Sequence, residues 1–138
     1  MRRLWAIPLA LGLLATQASA DIYVIDGDTI IVDREHIRLV GLDAPEIRHA
    51  RCDAELARGI EAKARLLSLI VDACGPLAKA PATCLDIARL AVPDRYGRTL
   101  AVVKTPAADL SATLIREGLA HPYTCAGHCP PRRPWCEP

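Results

Sequence analysis

Ile22-Tyr23-Val24-Ile25-Asp26-Gly27-Asp28-Thr29-Ile30-Ile31-Val32-Asp33-Arg34-Glu35-His36-Ile37-Arg38-Leu39-Val40-Gly41-Leu42 is the stretch on which the fold turns. Ile22 to Ile25 is a short run of β-favouring residues, Asp26-Gly27 is the strongest local hairpin signal, and Thr29 to Val32 resumes the strand in the opposite direction. Asp33-Arg34-Glu35 supplies a second turn, and His36 to Leu42 reads as a third strand, apolar on both faces apart from Arg38. The expectation is three consecutive antiparallel strands.

After Pro45 the period changes. A helix is expected from Asp53, with Leu56, Ile60, Lys63/Ala64, Leu67 and Val71 at steps of three and four, ending at Gly75-Pro76. Gly59 within it costs up to about 1 kcal/mol relative to alanine. Leu85 to Val92 and Thr99 to Val103 read as two more strands joined by Asp94-Arg95-Tyr96-Gly97, and Asp109 caps a short helix over Leu110 to Glu117 that Gly118 ends. The tail from His121, rich in Pro and Cys, is expected to be irregular. The fold class is therefore mainly β with two helices: a five-stranded Greek-key barrel of the OB type, one helix between strands three and four and one after strand five.

A chain of 138 residues has room for one such domain. With 51% hydrophobic and 24% charged residues it is neither a disordered chain nor a coiled coil. Arg2-Arg3, the apolar run Leu4 to Ala15 and Ala18-Ser19-Ala20 have the three parts of a secretory signal over residues 1–20, and the run is shorter than the ~20 residues needed to span a membrane. The expected domains are this signal, a domain over 21–123 and a cysteine- and proline-rich tail over 124–138, with no membrane segment after signal removal. Of the 17 Lys and Arg, Arg2 and Arg3 leave with the signal, so 15 face 16 acidic residues and net charge gives no hint of a polyanionic partner. Cys52, Cys74, Cys84, Cys125, Cys129 and Cys136 all lie in the exported part and read as up to three disulfides, whose 15 connectivities spacing does not resolve. The competing reading is a zinc site in the tail, from Cys125, His128, Cys129 and Cys136 with His121 nearby, but the spacing matches no standard knuckle.

Three segments put charge where strands want apolar residues. By alternation Asp28 shares a face with Ile30 and Val32, Arg38 with Val40 and Leu42, and Asp43 the other face with Ile37 and Leu39. Glu46 follows Ala44-Pro45, which keeps the backbone extended. Taken singly, these are a turn, a structural ion pair and, for Arg98, a solvated hairpin-tip charge. Together, hard oxygen donors without histidine or thiolate suit Ca²⁺ or Mg²⁺, and paired arginines suit a phosphate bound by two prongs.

Val24-Ile25-Asp26-Gly27-Asp28-Thr29, then Ile37-Arg38-Leu39-Val40-Gly41-Leu42-Asp43-Ala44-Pro45-Glu46, then Asp94-Arg95-Tyr96-Gly97-Arg98-Thr99-Leu100-Ala101 resemble, in order, the three signature segments of the staphylococcal-nuclease-like (thermonuclease) family. Leu114-Ile115-Arg116-Glu117-Gly118-Leu119-Ala120 and the first helix resemble it too, so the likeness covers about Ile22 to Tyr123. The resemblance implies that Asp28, Asp43 and the main-chain carbonyl of Ala44 hold one Ca²⁺, with Ala44 in place of the usual threonine. It implies that Glu46 orients or deprotonates the attacking water and that Arg38 and Arg98 clamp the phosphate. Arg95 and Tyr96 would hold a neighbouring phosphate, with Arg95 in place of the commoner lysine. A cysteine-rich tail stands where the staphylococcal form has a long helix. Its Trp135-Cys136 end resembles a bacterial branch in which it is tied near the first helix, implying Cys52–Cys136, with Cys74–Cys84 and Cys125–Cys129 as the companion pairs.

The function implied is an exported, periplasmic or secreted, monomeric Ca²⁺-dependent nuclease. It would act on DNA and RNA with little sequence preference and leave 3′-phosphate and 5′-hydroxyl ends. The rival is a noncatalytic OB-type nucleic-acid-binding module, against which the acidic set argues, because carboxylates repel phosphate unless a cation lies between them. Removing Asp28 or Asp43 is expected to abolish most Ca²⁺ binding with the fold intact, since two converging carboxylates repel each other.

Overall fold

A computed structural model of the chain describes residues 16–125 and 127–137, so the expected signal segment up to residue 15 lies outside the described residues. The elements are β1 (Ser19–Ala20), β2 (Ile22–Val24), β3 (Thr29–Val32), β4 (Glu35–Leu39), β5 (Gly41–Asp43), α1 (Asp53–Cys74), β6 (Ala80–Pro81), β7 (Asp86–Arg89), β8 (Thr99–Lys104), α2 (Leu110–Arg116) and β9 (His121–Tyr123). The main sheet has five strands in the order β2-β3-β4-β8-β7. β2, β3 and β4 form the expected antiparallel meander, with Tyr23 opposite Ile31 and Thr29 opposite Arg38. β8 then lies parallel to β4, Arg38 beside Leu100, and β7 pairs antiparallel with β8 on the outside. That order and the parallel pairing after a helical crossover are those of an OB-type sheet, and the ladder is open between β2 and β7, as in a partly open barrel. One core fills it, with Ile30, Ile37 and Val103 from the sheet, Leu66 and Ile70 from α1, and Leu110 and Leu114 from α2.

α1 has the expected bounds but turns a different face inward. Its buried stripe is Glu55, Gly59, Ala62, Leu66, Ile70 and Cys74, whereas Leu56, Ile60, Leu67 and Val71 are exposed, Ile60 by 54%. The reason is a close approach made through the smallest side chains. A Cβ at Gly59 would lie 2.8 Å from the Glu46 carbonyl oxygen and 3.0 Å from that of Pro45. One at Gly27 would lie 2.7 Å from Ala44 Cβ and 2.8 Å from Ala62 Cβ. Gly27 therefore serves packing and not a left-handed turn; the hairpin closes over Asp26 to Asp28, with the Ile25 N–H donating to the Thr29 carbonyl at 2.9 Å.

The third expected strand is broken. Gly41 takes φ +85°, a left-handed conformation that glycine adopts freely, and β5 leaves the main sheet. The chain after α2 is not irregular at its start, because β9 completes β5, with Asp43 opposite His121. Beyond it Trp135 is buried and stacks on His121, ring centroids 3.7 Å apart and planes 3° from parallel. All six cysteines pair, as Cys52–Cys136, Cys74–Cys84 and Cys125–Cys129. The first spans 84 residues and ties the tail to the N-cap of α1, a constraint worth about 4–5 kcal/mol in the chain-entropy account.

Burial, and then the Arg133 and Arg58 charges, push the His121 pKa below its ordinary 6.5. The folded state thus binds fewer protons than the unfolded one, so this contribution is present above pH 6.5 and is lost as the pH falls below it. In protein beginning at Asp21, where Trp135 is the sole tryptophan, acidification from pH 7.5 to 5 is expected to lower the thermal midpoint and shift Trp135 fluorescence. His121→Gln is expected to flatten both profiles; identical profiles in the two proteins would reject the assignment.

Candidate active site

The loop between β2 and β3 begins the site. The Asp28 N–H donates to Asp26 Oδ1 at 3.1 Å, and the Asp28 carbonyl accepts from the Leu39 N–H at 2.8 Å, which fixes the loop to the end of β4. The Asp28 carboxylate accepts from Thr29 Oγ1 at 3.0 Å and from the Ala44 N–H at 3.1 Å, and it is ion-paired with Arg38. Arg38 Nη2 also lies 3.7 Å from Asp43 Oδ1. Asp28, Arg38 and Asp43 are all buried, which charged groups tolerate only when paired. Strict alternation puts Arg38 and Asp43 on opposite faces; the break at Gly41 resets the count and brings them together.

Asp43 is the less satisfied of the two aspartates. Its Oδ1 has no hydrogen-bond partner. Burial raises its pKa, Arg132 opposes that, and the Asp28 charge adds to it. Glu46 stands half-buried on the rim, its main chain held by the buried Glu55, whose carboxylate accepts from the Glu46 N–H at 3.3 Å and the Arg51 N–H at 2.7 Å. Pro45, Gly59 and Glu55 thus position the Ala44–Glu46 turn against α1.

Sequence reasoning missed three residues here. Glu55 sits three places after the N-cap Cys52, the place of the acid in a capping box, and that spacing was the available signal. Asp26, taken as a turn residue, has a pKa raised to about 6, first by burial and then by the Asp28 charge. Arg132 comes from the tail, with Nη1 3.2 Å from Asp43 Oδ1 and 3.5 Å from Glu46 Oε1. Nothing local in the sequence signalled it, because long-range contacts, the Cys52–Cys136 staple and the Trp135–His121 stack among them, carry it there.

The remaining expected residues stand on a different feature. Arg98 Nε donates to Asp94 Oδ2 at 2.7 Å, and Asp94 Oδ1 accepts from the N–H groups of Tyr96 and Arg98, each at 2.9 Å. These bonds overcome burial and lower the Asp94 pKa. Arg95 and Arg98 lie over the exposed Tyr96 ring, at 4.8 and 5.5 Å from its centroid. The structure therefore brings Asp28, Arg38, Asp43, Ala44 and Glu46 together, and it groups Arg95, Tyr96 and Arg98 at a hairpin tip bonded to Asp94.

Asp43, Ala44, Glu46 and Glu55 line one wall of a cleft of about 590 Å³, and Pro131 to Cys136 of the tail line the other. Among the described residues no three His, Cys, Asp or Glu side chains form a ready-made metal cage. The donor set is two buried carboxylates, one with an oxygen that accepts no hydrogen bond, beside the Ala44 main chain, and such hard oxygen donors fit a divalent cation of the Ca²⁺ kind. A family model described as staphylococcal nuclease homologue matches residues 36–134. No curated protein matches the chain.

The two aspartates are expected to differ in stability as well as in contacts. Asp28→Ala strands Arg38 in the interior and should cost about 3–5 kcal/mol, against the sequence-based expectation of an intact fold. Asp43→Asn removes a carboxylate whose charged form burial disfavours, and should leave stability unchanged or higher. Urea unfolding of both variants in chelator checks this; equal losses would reject it.

Proposed function

Because the chain belongs to the family of staphylococcal nuclease homologues, we propose that it is an exported, monomeric, Ca²⁺-dependent nuclease. On this reading it hydrolyses phosphodiester bonds of DNA and RNA with little sequence preference, leaving 3′-phosphate and 5′-hydroxyl ends. The observation that carries the reading is the buried Asp28–Arg38–Asp43 cluster, whose Asp43 lines a cleft beside Glu46 and has an oxygen, Oδ1, that accepts no hydrogen bond. A plain nucleic-acid binder has no use for carboxylates that repel its ligand.

Asp28, Asp43 and the Ala44 carbonyl would hold the ion, which when bound supplies positive charge beside a phosphate oxygen. Glu46, on the cleft rim with its main chain anchored by Glu55, aims a water at phosphorus and takes its proton. Arg38 already faces two carboxylates and turns its remaining donors to the phosphate, where charge grows as the 5′ oxygen departs. Arg98 adds a second fork from the hairpin tip once it exchanges Asp94 for phosphate, and Arg95 and Tyr96 hold the next phosphate along.

Export is supported by the three disulfides, which persist in oxidising compartments. The Asp21 nitrogen lies 2.8 Å from Asp33 Oδ1, so a new N-terminus left by cleavage after Ala20 would meet a carboxylate. No described helix is long and apolar enough to cross a membrane.

The test is a cleavage time course on single-stranded DNA and RNA in Ca²⁺ and in chelator, with end-group analysis. Wild type is expected to cleave only in Ca²⁺. Glu46→Gln and Arg98→Lys are each expected to lose on the order of 10² in turnover. Binding without cleavage in Ca²⁺ would leave the noncatalytic module standing.

A further inference from the structure

Residues 131–136 form a wall of the cleft, and they are held there from both sides of Arg132. On the near side the Tyr123 hydroxyl donates to the Pro130 carbonyl at 3.0 Å. On the far side Trp135 is stacked on His121 and Cys136 is bonded to Cys52. The Arg132 guanidinium lies 5.7 Å from the Tyr123 ring centroid and reaches two carboxylates, Asp43 at 3.2 Å and Glu46 at 3.5 Å. Those are the groups to which the proposed function assigns the cation and the attacking water.

The two arginines of the cluster are not equivalent. Arg38 is buried and holds Asp28, so it cannot leave without stranding charge. The Arg132 side chain is 45% exposed while that of Asp43 is 4% exposed, so Arg132 is the member of the pair free to move into solvent. Asp43 Oδ1 gains no hydrogen bond of good geometry from it, so their attraction is a contact of charges that an incoming cation can replace.

We propose that Arg132 is a displaceable counter-ion of the cation site: it stands on Asp43 and Glu46 when no divalent cation is present, gives way to one, and then adds a guanidinium to the phosphate-binding wall of the cleft. The proposal rests on the nuclease reading and deepens it. The staple sets a local concentration of guanidinium that no free cation matches, so it also sets the Ca²⁺ level at which the site fills. A group that opposes the metal and attracts the substrate has effects of opposite sign on the two ligands, which a merely structural residue does not.

The experiment is calorimetric titration of Ca²⁺ into the disulfide-bonded protein from Asp21 onward, with kcat and KM on single-stranded DNA at saturating Ca²⁺. The proteins are wild type, Arg132→Gln and Arg132→Lys. Removing a half-exposed guanidinium that opposes the cation should tighten Ca²⁺ binding in Arg132→Gln about fivefold and raise KM by a similar factor with kcat little changed, while Arg132→Lys stays near wild type. Unchanged or weaker Ca²⁺ binding in Arg132→Gln, with wild type still binding Ca²⁺, would overturn the role of Arg132 and spare the nuclease reading. If wild type and Arg132→Gln both fail to bind Ca²⁺, the cation reading falls and this proposal with it.

Discussion

The ion pair between Arg38 and Asp28 is the constraint on which the site depends. A guanidinium on a central strand of a small sheet has no water to solvate it, so the hairpin loop must deliver a carboxylate to it. That requirement orders the loop: Asp26 caps the Asp28 N–H, the Asp28 carbonyl extends the β3–β4 ladder to Leu39, and the Ala44 N–H completes the carboxylate's partners. Only the Asp26 contact is local; the other two reach the end of β4 and the segment after β5, and together they join three separate segments at a point. The break at Gly41 then lets Asp43 face the same guanidinium, which continuous pleating would forbid.

Close packing of α1 on this point supplies the rigidity. Gly27 against Ala44 and Ala62, and Gly59 against the Pro45 and Glu46 carbonyls, leave no room for a methyl group, so the loop carrying Glu46 lies directly on the helix. Glu55 then satisfies two N–H groups of that loop that would otherwise be left without partners in a partly buried turn. The carboxylate is buried at the helix start, where exposed N–H groups favour negative charge. Cys52 is the N-cap of the same turn, so the bond to Cys136 anchors the tail to the helix start that carries Glu55.

Much of this was legible in sequence, and the failures share a cause. The meander, the bounds of α1, the turn at Asp94 to Gly97 and the Asp109 cap followed from periods and turn residues, because these are decided within a few residues. Which face of α1 is buried did not, since counting large apolar residues overlooks contacts made by glycine and alanine. Asp28, Arg38 and Asp43 were recognisable as charges on an apolar strand, although alternation misjudged how Arg38 and Asp43 meet. Glu55 and Asp26 were hidden by bland local roles, a helix-start acid and a turn acid. β9 and Arg132 were hidden by distance along the chain, because a strand of Pro and His and a tail of Pro and Cys acquire order only from partners about 80 residues away.

Local charge balance reconciles an expected mature form close to neutral with the polyanionic substrate proposed for it. Asp26 and Asp28 crowd against Asp43 and Glu46, which line the cleft, and Arg38 and Arg132 balance only part of that charge. The imbalance shows in the raised pKa of Asp43 and of Asp26, each caused first by burial and reinforced by a neighbouring carboxylate. On the proposed reading a divalent cation would relieve that repulsion and reverse the sign of the potential that a phosphate meets. The tail's arginine holds the same place only partially, with one charge instead of two and without a well-formed hydrogen bond to Asp43 Oδ1. On the proposed reading, cation binding and substrate binding are coupled through these carboxylates, and the position of Arg132 sets how steep that coupling is.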